Sequence, residues 1–173
     1  MPSNVEIKAR IGDYETLERR AAELSDGAPD SVTQRDVFFN APRGRLKLRF
    51  LDDGTGELIY YERPDSSGPA TSRYVCFETA APARLEELLS MSHGARATVR
   101  KRRRIYHAGQ TRIHLDRVDG LGDFVELEVV LRDGQGPGEG SAIARQMMEA
   151  LGIEKARLID VAYVDLLTRS RDP

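Results

Sequence analysis

The sequence holds a single cysteine, Cys76, in 173 residues. One thiol excludes an intramolecular disulfide and a cysteine-based metal cluster. Within the apolar run 74–77 it reads as a small core residue rather than a nucleophile. Lysine is almost as scarce: of 26 basic residues, only Lys8, Lys47, Lys101 and Lys155 are lysine. In a chain that otherwise uses arginine, a retained lysine points to a position needing a compact point charge. No apolar run approaches the ~20 residues of a membrane helix, and no secretory leader pattern stands at the start. The expectation is a cytoplasmic protein with no membrane contact. A strong charge imbalance is also missing. The formal net charge of −2 gives no global pull toward nucleic acid, so any charged ligand must be met by local clusters.

What is present is folding material. Hydrophobic residues make up 40% and charged residues 31%, and the length suits one domain spanning 1–173. Residues 4–11 alternate strictly, with Val5, Ile7, Ala9 and Ile11 on one face and Asn4, Glu6, Lys8 and Arg10 on the other, which predicts a strand. Further strands are predicted over 32–39, 44–51, 56–63, 72–79, 97–106, 110–118 and 123–132. Helices are predicted over 13–25 with Asp13 as N-cap, after Ala81 with Pro82 in the first turn, near 141–151, and over 158–169. The stretch 64–69, rich in Pro, Ser and Gly, reads as a mobile loop. Short connections make most strand neighbours antiparallel, giving an α+β protein of about eight strands.

The polar faces of these strands are sorted by charge. Lys47 with Arg49, and Lys101 with Arg103, are basic; Glu126 and Glu128 lie two residues apart, so both carboxylates point to one face and repel. Arg112, His114 and Asp116 share a face on the strand between. A one-sided sheet would leave such faces in water. If the sheet curls, they line a cleft or closed tunnel instead, with the apolar faces under helices outside. Carboxylates there suit Mg²⁺ or Mn²⁺, and bases suit phosphate oxygens, a combination that serves phosphoryl chemistry.

The segment "RKRRRIYHAGQTRIHLDRVDGLGDFVELEVV" (100–130), together with "NVEIK" (4–8) and "QRDVFF" (34–39), resembles the CYTH superfamily of class IV adenylyl cyclases, thiamine triphosphatases and related triphosphate tunnel metalloenzymes. The resemblance spans nearly the whole chain. It implies an antiparallel eight-stranded closed or nearly closed β-barrel, a triphosphate tunnel, with helices outside. It implies Glu6, Glu126 and Glu128 as metal ligands and Asp116 as a ligand or a partner of one. Lys8, Lys47, Arg49, Lys101 and Arg103 are implied as phosphate binders, with Glu6, Lys8, Lys101 and Arg103 catalytic. The implied cofactor is Mg²⁺ or Mn²⁺. The implied substrate is an organic triphosphate, ATP or thiamine triphosphate, and similar proteins are commonly homodimers. Cyclisation of ATP, hydrolysis of a triphosphate, and non-catalytic binding of nucleotide or polyphosphate are the three functional readings.

Two departures stand out. Asn4 replaces the first glutamate of the family's opening Glu-x-Glu-x-Lys, and Glu62 stands near an expected lysine, with Arg63 one residue further and so on the other face of a regular strand. Asp36 reads as an ion-pair partner for a strand base. Tyr163 reads equally as packing or as a ligand contact. His114 reads as a structural histidine or a proton carrier. The arginines of 100–104 lack the interleaved aromatics of a nucleic-acid surface, so half should face the anion and half the solvent.

Overall fold

The computed structural model describes residues 3–63 and 68–169. Its strands are β1 (Ser3–Arg10), β2 (Asp30–Phe39), β3 (Arg45–Phe50), β4 (Gly56–Glu62), β5 (Ala70–Thr79), β6 (Ala95–Ala108), β7 (Thr111–Val118) and β8 (Gly122–Val130). Its helices are α1 (Tyr14–Leu24), α2 (Pro82–His93), α3 (Pro137–Leu151) and α4 (Tyr163–Arg169). All pairings are antiparallel, and β1 pairs with both β5 and β8. The order β1-β5-β4-β3-β2-β6-β7-β8 therefore returns on itself as a closed barrel. Among the described residues, closure leaves no long unpaired sheet edge. No helix among the described residues is long and apolar enough to cross a membrane.

The polarity of this barrel is inverted. Along the β1–β8 seam Val5 faces Val129, Ile7 faces Leu127 and Ala9 faces Val125. These side chains, with Ile113 and Leu115 of β7, turn outward and are buried beneath Leu17 and Ala21 of α1 and Ala144, Met148 and Leu151 of α3. Each fully buried aliphatic side chain there contributes about 1.5–3 kcal/mol. The helix α3 approaches β1 so closely that a Cβ at Gly140 would meet Leu131 Cδ2 at 2.5 Å and Val5 Cγ2 at 2.8 Å. Any side chain there would force Leu131 and the buried Val5 to shift. A second core packs Leu89 of α2 on Val37, Phe39 and Leu48. A third packs Tyr163, Val164 and Leu167 of α4 on Phe38, Val118 and Phe124.

The element boundaries differ from expectation in instructive places. The third helix begins at Pro137, not near 141. Pro137 occupies the first turn, and the Gly136 N–H donates to Glu139 Oε2 at 2.9 Å, so the Gly/Pro stretch supplies the helix start. The segment expected as one helix over 158–169 is helical only from Tyr163. Upstream, the Ile159 N–H donates to Lys8 O at 2.8 Å and Leu158 bridges to Ala9, which holds the chain extended against β1. Strand β6 runs to 14 residues because β2 and β7 together pair with its whole length. Of the loop expected over 64–69, residues 64–67 lie outside the described residues. The expectation of a core Cys76 is corrected: the residue is exposed, on the inner face of β5 beside the barrel cavity, because the inner face is the wet one.

Candidate functional site

Because the apolar faces point outward, the alternate residues of every strand converge inside. They line a cavity of about 410 Å³. Glu6 and Lys8 of β1, Lys47 and Arg49 of β3, Lys101 and Arg103 of β6, His114 of β7, and Glu126 and Glu128 of β8 all border it. In barrel order, β8 and β1 form one wall, and β3, β2 and β6 form the wall facing it.

The β3–β2–β6 wall is basic and tightly wired. Asp36 of β2 lies opposite Arg49 in register. Its carboxylate accepts from Arg49 Nε and Nη2, each at 2.9 Å, and from Lys47 Nζ at 2.9 Å. Burial opposes ionisation of Asp36, but Arg49 and Lys47 outweigh it and hold the carboxyl well below the usual range. Asp116 of β7 does the same for the next pair. It accepts from Arg103 Nε and Nη2 at 2.6 Å each and from Lys101 Nζ at 3.2 Å. The Tyr163 hydroxyl donates to it at 2.9 Å. Burial again works against charge on Asp116, and Arg103 with Lys101 reverses the balance. One carboxylate serves two cations, however, and Arg103 takes both of its oxygens. Burial and then repulsion from Arg103 pull the Lys101 ammonium down to about 7 despite Asp116. This wall is thus short of negative charge.

The β8–β1 wall has the opposite deficit. Glu6 and Glu128 are direct cross-strand partners, as are Lys8 and Glu126. Lys8 Nζ lies 3.7 Å from Glu126 Oε2, and Arg103 Nη2 reaches the same oxygen at 3.4 Å. Although burial raises it, Glu126 is held well below its usual range by Lys8 and Arg103. Glu6 is not so matched. Burial, then repulsion from Glu126, lifts its carboxyl to about 7 although Arg63 and Lys8 oppose the shift.

Asn4 donates through Nδ2 to Glu128 Oε1, which leaves the buried Asn4 Oδ1 without a partner. Among the described residues no three acidic, histidine or cysteine side chains converge into a closed metal cluster. An unpartnered amide oxygen and a glutamate crowded by two others nevertheless fit an oxygen-liganded divalent cation. Mg²⁺ takes few protein ligands and keeps positions for water and phosphate oxygens.

His114 is buried, with Nε2 3.7 Å from Glu128 Oε2 and Nδ1 unpartnered. Burial and then Arg103 hold it well below the usual histidine range, so the ring is neutral. Tyr163 is both packing and site. Its ring lies 4.9 Å from Phe124 and carries Lys8 Nζ at 4.2 Å and Lys101 Nζ at 5.2 Å from its centre.

Sequence reasoning missed Arg63 and misplaced Glu62. In β4 the inward residues are Glu57, Ile59 and Tyr61, so Glu62 faces out, where it accepts from the Tyr60 hydroxyl at 2.7 Å. The next inward position is Arg63, whose Nε lies 3.2 Å from Glu6 Oε2 in a largely buried setting. The charge reversal read at Glu62 therefore does not reach the cavity, and a cation follows it by one residue. Carrying the alternation of "GELIYYER" to its end would have found it. Arg45 was also missed; it borders the cavity and donates to Asp165 Oδ2 of α4 at 3.0 Å.

A closed antiparallel barrel with a charged interior and helices outside is the triphosphate-tunnel architecture. The CYTH domain family model matches residues 3–163, and the chain belongs to that family. It is 26% identical over 177 residues to the "Putative adenylate cyclase MJ0240" of Methanocaldococcus jannaschii, covering 94% of this chain and 97% of that one. The structure of the PH1012 protein from Pyrococcus horikoshii OT3 superposes with a TM-score of 0.83 at 26% identity, covering 94% and 98% of the two chains. The Hippeastrum protein HpAC1, a "Putative adenylyl cyclase" that "reveals a dominant" triphosphatase activity, shares the fold with a TM-score of 0.65 at 17% identity, covering 96% and 95%.

Proposed function

We propose that this protein is a metal-dependent enzyme acting on an organic triphosphate, with ATP cyclisation as the first reading. The observation that carries it is the opposition of the two walls. A wall lacking positive charge faces a wall lacking negative charge across one cavity, and a metal–triphosphate complex supplies both at once. Glu6, Glu126 and Glu128, with Asn4 Oδ1, would hold Mg²⁺ or Mn²⁺. Lys8, Lys47, Arg49, Arg63, Lys101 and Arg103 would bind phosphate oxygens. Asp116 has its oxygens committed to Arg103, Lys101 and Tyr163. In this reading it positions those cations rather than binding the metal, as Asp36 does for Lys47 and Arg49.

The bound ion supplies Lewis acidity at the phosphate oxygens. The chain's own work is positioning and charge neutralisation, which carry most of the barrier reduction in phosphoryl transfer. In cyclisation the ribose 3'-hydroxyl attacks the α-phosphorus, the bond to pyrophosphate breaks, and the hydroxyl proton passes to solvent or base. A triphosphatase reading, with water attacking the terminal phosphorus, is favoured by Asn4. Its neutral amide lowers the negative charge of the metal wall, and the same architecture in HpAC1 accompanies a dominant triphosphatase activity.

Turnover of ATP, thiamine triphosphate and tripolyphosphate with Mg²⁺ or Mn²⁺ separates the readings. Cyclic AMP with pyrophosphate is the expected product pair. Orthophosphate in its place selects the hydrolase. Tight binding without any product would refute both and leave a nucleotide or polyphosphate sensor.

A further inference from the structure

The basic run of β6 is used only in part by the tunnel. Lys101 and Arg103 point inward, while Arg102 and Arg104 point outward from the same strand. Arg117 of β7 stands directly opposite Arg102 in register. Two guanidinium groups opposed on neighbouring strands repel each other unless an anion lies between them. The neighbours neutralise some of this charge. Arg104 pairs with Glu18 of α1. Arg117 lies 3.9 Å from Asp123 and 4.2 Å from the centre of the Tyr14 ring. Among the described residues, no ion pair reaches Arg102. These groups, with Thr33 of β2, wall a groove of about 350 Å³ on the outside of the barrel.

We propose that this groove is a second anion site, separate from the tunnel, that takes a short phosphate chain such as pyrophosphate or tripolyphosphate. Guanidinium forks match phosphate oxygens two at a time, and the Tyr14 and Thr33 hydroxyls add neutral donors. The volume suits a small ligand. The carboxylates of Glu18 and Asp123 bound the basic patch, and its one aromatic already carries Arg117, so a stacked nucleic-acid strand is the poorer fit. Arg103 borders both cavities, but Arg102, Arg104 and Arg117 do not line the tunnel, so this site stands without the proposed reaction.

Calorimetric titration with tripolyphosphate in metal-free buffer tests it. The expected result is two sites per chain in the wild type and one in Arg102→Ala/Arg117→Ala, with far-ultraviolet circular dichroism unchanged. Both residues are exposed, so the fold should survive their truncation. Two sites surviving in the double variant would overturn the proposal, as would one site in both proteins. One site that falls to none would support the groove and count against the tunnel reading. Displacement of the ligand by a single-stranded oligonucleotide, dependent on the same arginines, would overturn it in favour of nucleic acid.

Discussion

The two walls of the tunnel differ in how they treat a buried carboxylate. On the basic wall each acid meets two cations: Asp36 binds Lys47 and Arg49, and Asp116 binds Lys101 and Arg103. Both acids stay ionised. On the acidic wall Glu6 faces Glu128 in register and feels Glu126, and its carboxyl rises to about 7. A buried carboxylate is thus a fixed clamp on one side and an under-compensated acid on the other. Burial alone does not separate these cases. The carboxylates beside Glu6 do: Glu126 and Glu128 offset its two cations, Arg63 and Lys8.

The largest way to break this contrast is to reverse a charge on the acidic wall. Glu126→Lys should lower metal-dependent turnover by about 10⁴-fold, since it sets a cation where the proposed function places a divalent ion. Full turnover in that variant would end the metal reading. On the other wall, Asp36→Asn removes one charge and leaves two buried cations facing each other. Urea denaturation should show a loss of about 3 kcal/mol, as for a buried ion pair broken on one side. A smaller effect sharpens the role of β4: Arg63→Ala should raise KM about tenfold, equivalent to about 1.4 kcal/mol of lost binding, whereas Glu62→Ala should leave KM within about twofold. Equal effects at the two positions would contradict the inward placement of Arg63.

The smallest signal is in pH. Asp36 is depressed below its ordinary value of 3.8, so the stability it contributes is present above that value and lost as pH falls through and below it. The groups facing it are Lys47, Arg49 and Lys101, all basic. Denaturant midpoints of the wild type should therefore fall more steeply below about pH 4 than those of Asp36→Asn. Parallel curves would show that Asp36 is not the group responsible.

Much of this was legible in the sequence, because strict alternation writes both faces of a strand at once. The apolar half of "NVEIKAR" fixed which residues meet α1 and α3, and the polar half named Glu6 and Lys8. The inward positions of β6 and β8 followed from the same period. The failures share a cause. A strand's reading frame is local, but its consequences depend on where the strand ends and what covers it. Arg63 lies one residue past β4, so it was assigned to the wrong side. Cys76 was taken for core because apolar neighbours usually mean a dry face, and in this barrel the inner face of β5 is wet. The start of α3 was hidden in a Gly/Pro run that reads as loop until Glu139 caps it. Nor could any local pattern show that Asp116 would spend its oxygens on Arg103, Lys101 and Tyr163, which come from two other elements.

The seam between β1 and β8 joins Asn4 to Glu128 across 124 positions of chain. Glu126 and Glu128 can be placed by the local β7–β8 hairpin, but the acidic wall is complete only when β1 zips onto β8, the slowest kind of contact to form. A bound metal–phosphate ligand would then act as a clasp on that seam, protecting the β1 amides from hydrogen exchange ahead of those elsewhere in the barrel.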